Sequence, residues 1–270
     1  MSGKDIKLKK FFRGKKNLVI SALDHVVVYG VQKGIEDSAK AIENCLTTDA
    51  LLMPRFMLKN NWDQFTSAST PTPVVRINWS SSFYYPLDYR GGYTTDIATV
   101  EEAVEAGAEV IICSLFIENE NEKMETQNVK LFSEIVRQKE KLGIPLIGEC
   151  YVVEHTDKTE DEVHDKVKRV SRIMVELGAD MVKTFYTGER FHEVVENTPA
   201  PIFTIGAEKL NTDLDVLKKA YNSVSQGARG IVFGRNIFMA EDPVKMVKAL
   251  NEVINDGLKP EEAAQKYGLK

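Results

Sequence analysis

Short apolar runs and longer amphipathic segments alternate along the whole chain. Eight of the apolar runs are nearly continuous in residues such as Val, Ile, Leu and Met, which is the pattern of strands buried on both faces of a parallel sheet. We predict these strands at residues 18–23, 50–53, 74–78, 110–115, 145–151, 181–185, 202–205 and 230–233. An amphipathic segment follows each run, and these segments predict helices at residues 31–44, 57–65, 99–105, 123–142, 159–177, 189–196, 213–225 and 243–255.

A Gly-Ala pair separates a predicted helix from the next predicted strand at three places, beginning at Gly107, Gly178 and Gly227. Glycine ends a helix in the left-handed conformation without steric cost, so the strand starts directly after it. Three copies of one connection indicate a repeated βα unit. Eight units in a chain of 270 residues predict a single-domain (β/α)8 barrel, a fold of about 250 residues. No GxGxxG follows the first strand to favour an open doubly wound sheet.

The predicted domain spans residues 1–270, with a lead-in at about 1–16 and an extra helix at about 260–269. The lead-in carries the basic cluster from Lys4 to Lys16 around Phe11 and Phe12, and we expect it to be a solvated segment. Residues 80–98 are rich in aromatics and glycine. They predict a long loop after the third strand, where barrel loops carry function.

Composition narrows the class of protein. With 35 Lys+Arg against 40 Asp+Glu, the net charge of −5 provides no basic field for nucleic acid. No apolar run approaches the roughly 18 residues that span a bilayer, and the start of the chain lacks a signal-peptide pattern. The three cysteines lack metal-ligand or disulfide spacing, so we expect neither a zinc site nor a disulfide framework, and a reducing cytoplasm. No cofactor is predicted.

A lysine lies inside the sixth predicted strand, in an apolar run where charge is unexpected. Alternation along the strand places Lys183 on the same side as Met181 and Phe185. Desolvation favours the neutral amine, which attacks carbonyl compounds. The alternative is a lysine that reaches solvent or pairs with a carboxylate.

Other polar residues are predicted at the same edge of the barrel. Asp24 and His25 end the first strand, and Tyr151 ends the fifth, beside the strand of Lys183. Amine, carboxylate and phenol together are what a Schiff-base aldolase needs to form an iminium ion and move protons. Taken separately, the position of Asp24 also fits a turn cap and that of Tyr151 a core residue, so both interpretations stay open here.

The loops after the last two strands predict a phosphate site. Gly206 and Ala207 follow the seventh strand, and Gly234 and Arg235 follow the eighth. Phosphate sites of such barrels are commonly built from these two loops, where small residues let backbone N–H groups approach the anion. Arg235 adds a charge-assisted donor.

The remaining histidines and Cys150 carry weaker expectations. His164 lies in a charged helical run and is expected to be solvated. His155 follows the fifth strand and is a minor pocket candidate. His192 lies at the beginning of the helix after Lys183, where it is a weak candidate for approaching the site from above. Cys150 is expected to point away from Tyr151 by strand alternation.

Three motifs carry a resemblance to a known family: Ala22-Leu-Asp-His25, Gly178-Ala-Asp-Met-Val-Lys-Thr-Phe-Tyr-Thr-Gly188 and Gly234-Arg-Asn-Ile-Phe238. The chain resembles the archaeal-type class I fructose-bisphosphate aldolases from about Phe11 to Met239. That family also includes aminodideoxyheptulosonate synthases and autoinducer-2 phosphate thiolases.

The resemblance implies a (β/α)8 barrel, a Schiff base on Lys183 with Asp24 beside it, Tyr151 as the proton donor of the aldolase branch, and phosphate at Gly206, Gly234 and Arg235. It also implies a homo-oligomer, a pentamer or decamer, and a metal-independent reaction. Three places depart from the family: Val26 and Ala207 stand where glycine is usual, and the residues after Tyr151 differ from Pro-Arg-Gly. They put fructose 1,6-bisphosphate itself in doubt.

The predicted function is therefore a class I aldolase for a phosphorylated ketose or related phospho-sugar. Lys183, Tyr151 and Asp24 are the catalytic candidates, and His25, Gly206, Ala207, Gly234 and Arg235 form the substrate-binding set. The alternatives are a transaldol-type or thiolase-type transferase on the same Schiff base, and a barrel that binds phosphosugars without reacting.

Overall fold

The computed structural model describes residues 3–89, 91–152 and 154–270, with the backbone alone at positions 85 and 86. Its strands are β1 (Leu18–Ala22), β2 (Ala50–Pro54), β3 (Thr72–Arg76), β4 (Asn78–Ser80), β5 (Thr94–Asp96), β6 (Val110–Ser114), β7 (Leu146–Glu149), β8 (Met181–Thr184), β9 (Ile202–Ile205) and β10 (Gly230–Phe233). Eight of them form a closed parallel barrel in the order β1-β2-β3-β6-β7-β8-β9-β10, and β10 pairs back to β1. The predicted barrel is confirmed.

The helices are α1 (Gly3–Phe12), α2 (Val26–Tyr29), α3 (Ser38–Asn44), α4 (Arg55–Asn60), α5 (Val100–Glu105), α6 (Glu122–Leu142), α7 (Glu160–Glu176), α8 (Phe191–Asn197), α9 (Asp213–Ser225), α10 (Arg235–Phe238), α11 (Pro243–Asn251) and α12 (Pro260–Tyr267). Short 3-10 segments lie at Trp62–Phe65, Ser81–Leu87 and Gly188–Arg190, and a π turn at Glu252–Asp256 extends α11. The predicted extra helix at about 260–269 corresponds to α12.

Side chains alternate between two apolar layers along each barrel strand. Leu18 and Ile20 point into the barrel interior, whereas Val19 packs in the layer between barrel and helices. The same period of two places Met181 inside and Val182 outside in β8. This alternation confirms the predicted orientation of Met181. The expectation that Phe185 lies on the same side is wrong, because Phe185 lies beyond the end of β8 and packs in the outer layer.

The expectation of a solvated leading segment is wrong for Phe11, although Lys9, Lys10 and residues 13–16 are exposed. Residues Gly3–Phe12 form α1, and Phe11, which is 2% exposed, packs among the interior residues of the barrel. Its ring lies edge-on to Phe203 of β9, with 6.3 Å between ring centroids. The helix covers the amino-terminal end of the barrel because that end otherwise leaves the interior apolar layer open to water.

Several predicted boundaries also change. The predicted helix at 31–44 begins only at Ser38, since Gly34 has φ +89 and the side chain of Asp37 caps the helix through the N–H groups of residues 39 and 40. The predicted fifth strand ends at Glu149, so Tyr151 lies in the following loop. Residues 80–98 contain an antiparallel partner strand, since β4 pairs with β5; Arg90 in that stretch lies outside the described residues.

His164 is a further correction. The residue is 1% exposed rather than solvated, because its ring turns from α7 toward the loop after β8. There Nδ1 lies 2.8 Å from Oγ1 of Thr187, and Nε2 lies 3.5 Å from a carboxylate oxygen of Glu193.

Candidate active site

The inward-facing side chains change from apolar to polar at the carboxyl ends of four neighbouring barrel strands. These residues are Arg76 in β3, Ser114 in β6, Glu149 in β7 and Lys183 in β8, each two positions beyond an apolar residue of the interior layer. Arg76, Ser114 and Glu149 are each 2% exposed, and Lys183 is 7% exposed. The interior of the barrel therefore ends in a buried polar layer at the carboxyl ends of the strands, where active sites of this fold form.

Lys183 is paired with a carboxylate on the neighbouring strand. Glu149 and Lys183 are direct register partners between β7 and β8. The Nζ atom of Lys183 forms an ion pair with Oε1 of Glu149. Strand register thus places amine and carboxylate side by side without any loop.

Arg76 joins two carboxylates through its guanidinium. Its Nη2 donates to Oε2 of Glu149 at 2.7 Å, and its Nε donates to Oδ2 of Asp24. Its Nη1 donates to the hydroxyl oxygen of Ser114 at 2.8 Å, and that hydroxyl donates to Glu149. The planar guanidinium therefore holds both carboxylates in one orientation.

The buried residues of this cluster keep their charges because each is paired with a group of opposite charge. Burial raises the pKa of Asp24 and Glu149, but the positive charges of Arg76 and Lys183 outweigh it and hold both pKa values below their usual range. Burial lowers the pKa of Arg76, and the two carboxylates more than restore it. Both acids are therefore anions at neutral pH.

All eight residues predicted from the sequence line one cavity of about 590 Å³, mouth included, over this layer. Arg76 and Glu149 line its floor. Its apolar wall comes from other elements, and the lining residues there include Ala22, Val28, Tyr29, Phe83, Ile205 and Val232. Phe83 belongs to the predicted long loop, so that loop contributes directly to the cavity.

Tyr151 stands in this wall, two positions beyond the end of β7. Its ring lies 5.1 Å from that of Phe185 and 6.0 Å from that of Phe83, measured between centroids. Burial raises the pKa of the phenol above its usual value. Tyr151 is therefore a neutral O–H group facing the cavity, able to donate a proton or a hydrogen bond.

His25 packs against the phosphate-loop candidates. Its Nδ1 lies 3.6 Å from Oδ1 of Asp24, and a Cβ added at Gly234 would lie 2.2 Å from its Cε1. Burial, as the largest cause, lowers the pKa of His25 to about 4. The imidazole is neutral at physiological pH. Val26, the first residue of α2, is not among the cavity-lining residues.

The two loops predicted to bind phosphate meet at one side of the cavity. Arg235 donates through Nη2 to the carbonyl oxygen of Ala207 at 2.8 Å and through Nη1 to Glu208 at 2.8 Å. Ala207 has φ +57, in the left-handed region that favours glycine. The backbone here keeps the conformation of a glycine-rich loop although the residue is alanine.

The sequence reasoning missed Arg76, Ser114 and Glu149. The signal was present, because Arg76 and Glu149 are charged residues inside predicted apolar strands, as Lys183 is. Neither His155 nor His192 lines this cavity. The ring of His155 is tilted against that of Phe185, with 4.8 Å between centroids, and it lines a neighbouring depression. The exposed His192 contacts Glu189 and Gln226.

The three cysteines are buried, and burial raises the pKa of Cys150 to about 12. Among the described residues, no cluster of three or more His, Cys, Asp or Glu side chains is placed to hold a metal ion. In the same residues, no helix has both the length and the apolar character needed to cross a membrane.

A closed parallel barrel and a buried lysine, paired with a carboxylate at the carboxyl ends of the strands, together define a TIM-barrel enzyme whose active site contains an amine. Residues 18–240 match the family model described as DeoC/LacD family aldolase. The chain therefore belongs to the DeoC/LacD family of aldolases.

Relatives cover almost the whole chain. A Saccharolobus solfataricus protein described as an uncharacterised aldolase is 34% identical over 262 residues, 95% of this chain and 96% of that protein. A 3-hydroxy-5-phosphonooxypentane-2,4-dione thiolase of Yersinia pestis is 29% identical over 272 residues, 99% of this chain and 86% of that protein. The resemblance to the aldolase and thiolase group is thus confirmed.

Solved structures show the same fold. An archaeal fructose 1,6-bisphosphate aldolase aligns with a TM-score of 0.80 at 23% identity, over 93% of this chain and 98% of that one. A second archaeal aldolase, whose catalytic lysine is covalently bound to the carbinolamine intermediate of its substrate, aligns with a TM-score of 0.81 at 22% identity, over 93% of this chain and 99% of that one.

Proposed function

We propose that this protein is a class I aldolase that makes or cleaves a carbon–carbon bond in a phosphorylated ketose or related phospho-sugar through a Schiff base on Lys183. The observation that carries the proposal is the buried Lys183 at the floor of a cavity whose other side is formed by two small-residue loops. A ketone bound between them lies with its carbonyl carbon over the amine.

The amine of Lys183 attacks the ketone carbonyl, and loss of water leaves an iminium ion. The iminium withdraws electrons from the neighbouring carbon–carbon bond, so the bond breaks and the electron pair stays on the donor as an enamine. In the cleavage direction a base takes the proton of the alcohol whose carbon becomes the aldehyde. We assign Tyr151 to proton transfer at that oxygen because its phenol lines the cavity; in condensation the neutral phenol donates this proton.

The phosphate is assigned to the loops after β9 and β10. Gly206, Ala207 and Gly234 line the cavity there with little side-chain bulk, and Arg235 supplies a cation. Arg235 already bonds Glu208, so phosphate binding competes with that ion pair. His25, neutral and packed on Gly234, shapes the same side.

Deuterium exchange tests the proposed enamine directly. Dihydroxyacetone phosphate incubated in deuterated buffer with the wild-type enzyme is expected to exchange one hydrogen on its hydroxymethyl carbon, because enamine formation removes that proton. Lys183→Met is expected to reduce exchange to the uncatalysed level, as followed by proton NMR. Exchange at the wild-type rate in Lys183→Met would contradict the proposal.

A second candidate is a thiolase-type transfer on the same Schiff base, favoured by the Yersinia pestis relative described as a thiolase. Tyr151→Phe distinguishes the two. Aldol cleavage needs the phenol at the alcohol oxygen and is expected to fall about 10²–10⁴-fold, whereas acyl transfer to coenzyme A has no such alcohol and is expected to survive.

We further propose a cytoplasmic homo-oligomer. Three buried cysteines without disulfides are consistent with a reducing compartment. Large apolar side chains such as Val31 (72% exposed), Leu87 (66%) and Trp62 (65%) are consistent with subunit contacts. Light scattering measures the subunit number, and a monomer at micromolar concentration would contradict this part.

A further inference from the structure

One side of the cavity is formed by a small apolar cluster of its own. Val28, Phe83 and Phe116 pack together and are separate from the interior and outer layers of the barrel. Val28 and Phe83 line the cavity, and the ring of Phe116 packs edge-on against that of Phe83, with 5.4 Å between centroids. We call these three residues the Phe83 cluster. Tyr151 and Trp79 pack against it, so the surface that it offers to a ligand is apolar and aromatic.

The Phe83 cluster and the loops assigned to phosphate belong to opposite sides of the barrel. In the closed order, β3 stands opposite β9 and β6 stands opposite β10, since each pair is half of the circle apart. Phe83 lies in the segment after β3 and β4, and Phe116 follows β6. Gly206 follows β9, and Arg235 follows β10. A substrate that is bound over Lys183 with its phosphate at these loops therefore extends its other end toward the Phe83 cluster.

The free positive charge of the cavity lies away from this cluster. Three of the lining residues that the structure describes are cations, namely Arg76, Lys183 and Arg235. Two carboxylates balance the first two, because Glu149 pairs with both and Asp24 pairs with Arg76. Arg235, whose carboxylate partner is exposed to solvent, is left to meet an anionic ligand, and it stands on the phosphate side.

Arg76 is also covered from the side of the cluster. Its guanidinium carbon lies 5.5 Å from the ring centroid of Phe83, and its three nitrogens already donate to Asp24, Ser114 and Glu149. A phosphate at this end would lose its hydration without gaining a free cation, so its burial is unfavourable. An uncharged apolar group gains free energy on leaving water for the same surface.

Two tyrosines bind the backbone of the cluster. The hydroxyl of Tyr84 donates to the carbonyl oxygen of Val28, and that of Tyr29 donates to the carbonyl oxygen of Phe83 at 3.4 Å. Helix α2 and the segment Ser81–Leu87 are thereby joined at the cavity. These polar groups are paired within the protein, and the side chains of the cluster remain the surface that faces a ligand.

We propose that the carbonyl compound that joins the phosphorylated donor is an uncharged aldehyde with an apolar chain, and that this chain lies against the Phe83 cluster. The inference rests on the proposed class I aldolase and narrows its substrates. The substrate pair then carries one phosphate, which belongs to the donor and lies at the loops after β9 and β10.

The reaction balances with these two substrates. The donor loses a proton from carbon when its Schiff base on Lys183 becomes an enamine. The enamine carbon forms the new bond to the aldehyde carbon, and the aldehyde oxygen takes the proton of Tyr151. Water hydrolyses the resulting iminium ion and releases a ketone that carries the donor phosphate at one end and the apolar chain at the other. Tyr151 regains from solvent a proton equivalent to the one that the donor lost.

The test compares three aldehydes as partners of dihydroxyacetone phosphate. Pentanal is apolar, glyceraldehyde is polar and uncharged, and glyceraldehyde 3-phosphate carries a second phosphate. The initial rate of donor consumption gives kcat/KM for each aldehyde. The value for pentanal is expected to exceed that for glyceraldehyde 3-phosphate about tenfold or more, since even one methylene in an apolar site changes this constant by about 10–200-fold. A smaller ratio, or no reaction with pentanal, would overturn the inference.

Phe83→Ala tests the cluster itself. Removal of the ring is expected to lower kcat/KM for pentanal about tenfold or more, because the chain loses its apolar contact, and that for glyceraldehyde less than about threefold. The matched control is Phe56→Ala, since Phe56 is an exposed phenylalanine of α4, and both constants should equal those of the wild type. Equal losses for the two aldehydes in Phe83→Ala would overturn the inference.

Circular dichroism reports whether each variant is folded. Should Phe83→Ala not fold, Val28→Thr replaces it, because that change keeps the shape of the side chain and adds a hydroxyl group. The ratio of kcat/KM for pentanal to that for glyceraldehyde is then expected to fall about threefold or more, and a smaller change would overturn the inference.

Deuterium exchange into the donor alone separates a failure of this inference from a failure of the proposed function. A wild-type enzyme that exchanges the donor proton but prefers glyceraldehyde 3-phosphate would overturn the inference and leave the Schiff base in place. A wild-type enzyme that exchanges no donor proton would overturn the proposed Schiff base, and the inference with it.

Discussion

The imidazole of His25 lies over the α-carbon of Gly234, so that a Cβ at position 234 would lie 2.2 Å from Cε1 of His25 and 2.9 Å from the carbonyl oxygen of Ala22. The contact joins the loop after β1 to the loop after β10. Glycine is needed here for space, and the position of His25 depends on it.

Gly234→Ala is therefore expected to push the β10 loop away from β1 and weaken binding of a phosphorylated donor. We expect KM for dihydroxyacetone phosphate to rise at least tenfold, on the order of 1.4 kcal/mol, with a smaller change in kcat. Steady-state kinetics give both constants. Gly3→Ala, where an added Cβ meets nothing within 4 Å, is the control, and a KM within twofold of the wild type in Gly234→Ala would contradict this account.

Arg76 is expected to matter for stability as well as for positioning. Arg76→Met leaves Asp24 and Glu149 buried without their shared cation, which costs about 3–5 kcal/mol when one partner of a buried pair is removed. Urea unfolding measures the loss. The control is Arg172→Met, whose pair with Glu176 lies on an exposed helix face and should contribute less than about 1 kcal/mol; equal losses would refute the predicted difference.

The buried His25 predicts a pH dependence of stability. Its pKa in the folded protein is about 4, chiefly through burial, against 6.5 for an exposed histidine. Between these values the unfolded chain binds the proton and the folded chain does not, so stability falls as the pH is lowered from 6.5 toward 4.

His25→Gln removes this contribution. The free energy of unfolding of the wild type is expected to fall more steeply than that of the variant, by up to about 1.4 kcal/mol per pH unit. Urea unfolding at pH values across this interval gives both slopes. His192→Gln, at an exposed position, should keep the wild-type slope, and identical slopes for the wild type and His25→Gln would show that His25 titrates normally in the folded state.

Phe11 is predicted to stabilise the barrel from its amino-terminal end. Phe11→Ala should lower the free energy of unfolding by about 3–5 kcal/mol, because it removes a buried aromatic ring from the interior layer. Ile6→Ala, in the same helix but 51% exposed, should cost about 0.5 kcal/mol or less. If both changes have the same small effect, α1 is not part of the barrel core.

The barrel was predictable because its evidence is local and repeated. Each strand is marked by its own apolar run. The Gly-Ala connection at Gly107, Gly178 and Gly227 indicates that the βα unit is repeated. Helix α1 was missed for the opposite reason. Its sequence is rich in lysine, and only the packing of Phe11 into the barrel shows why it is ordered.

The candidate site was predictable as a set of positions but not as a set of partners. Lys183 was recognisable as a charge inside an apolar strand, and the same signal marks Arg76 and Glu149. Which carboxylate meets Lys183 depends on the register between β7 and β8. Register is a relation between distant segments, and the local pattern around either residue does not contain it.

The most direct test of the central claim is to locate the covalent bond. Wild-type enzyme reduced with borohydride in the presence of dihydroxyacetone phosphate is digested, and the modified peptide is sequenced by tandem mass spectrometry. The account predicts a single adduct on Lys183, absent from Lys183→Met. An adduct on another lysine, or an unmodified Lys183 in an enzyme that still exchanges the donor proton, would contradict it.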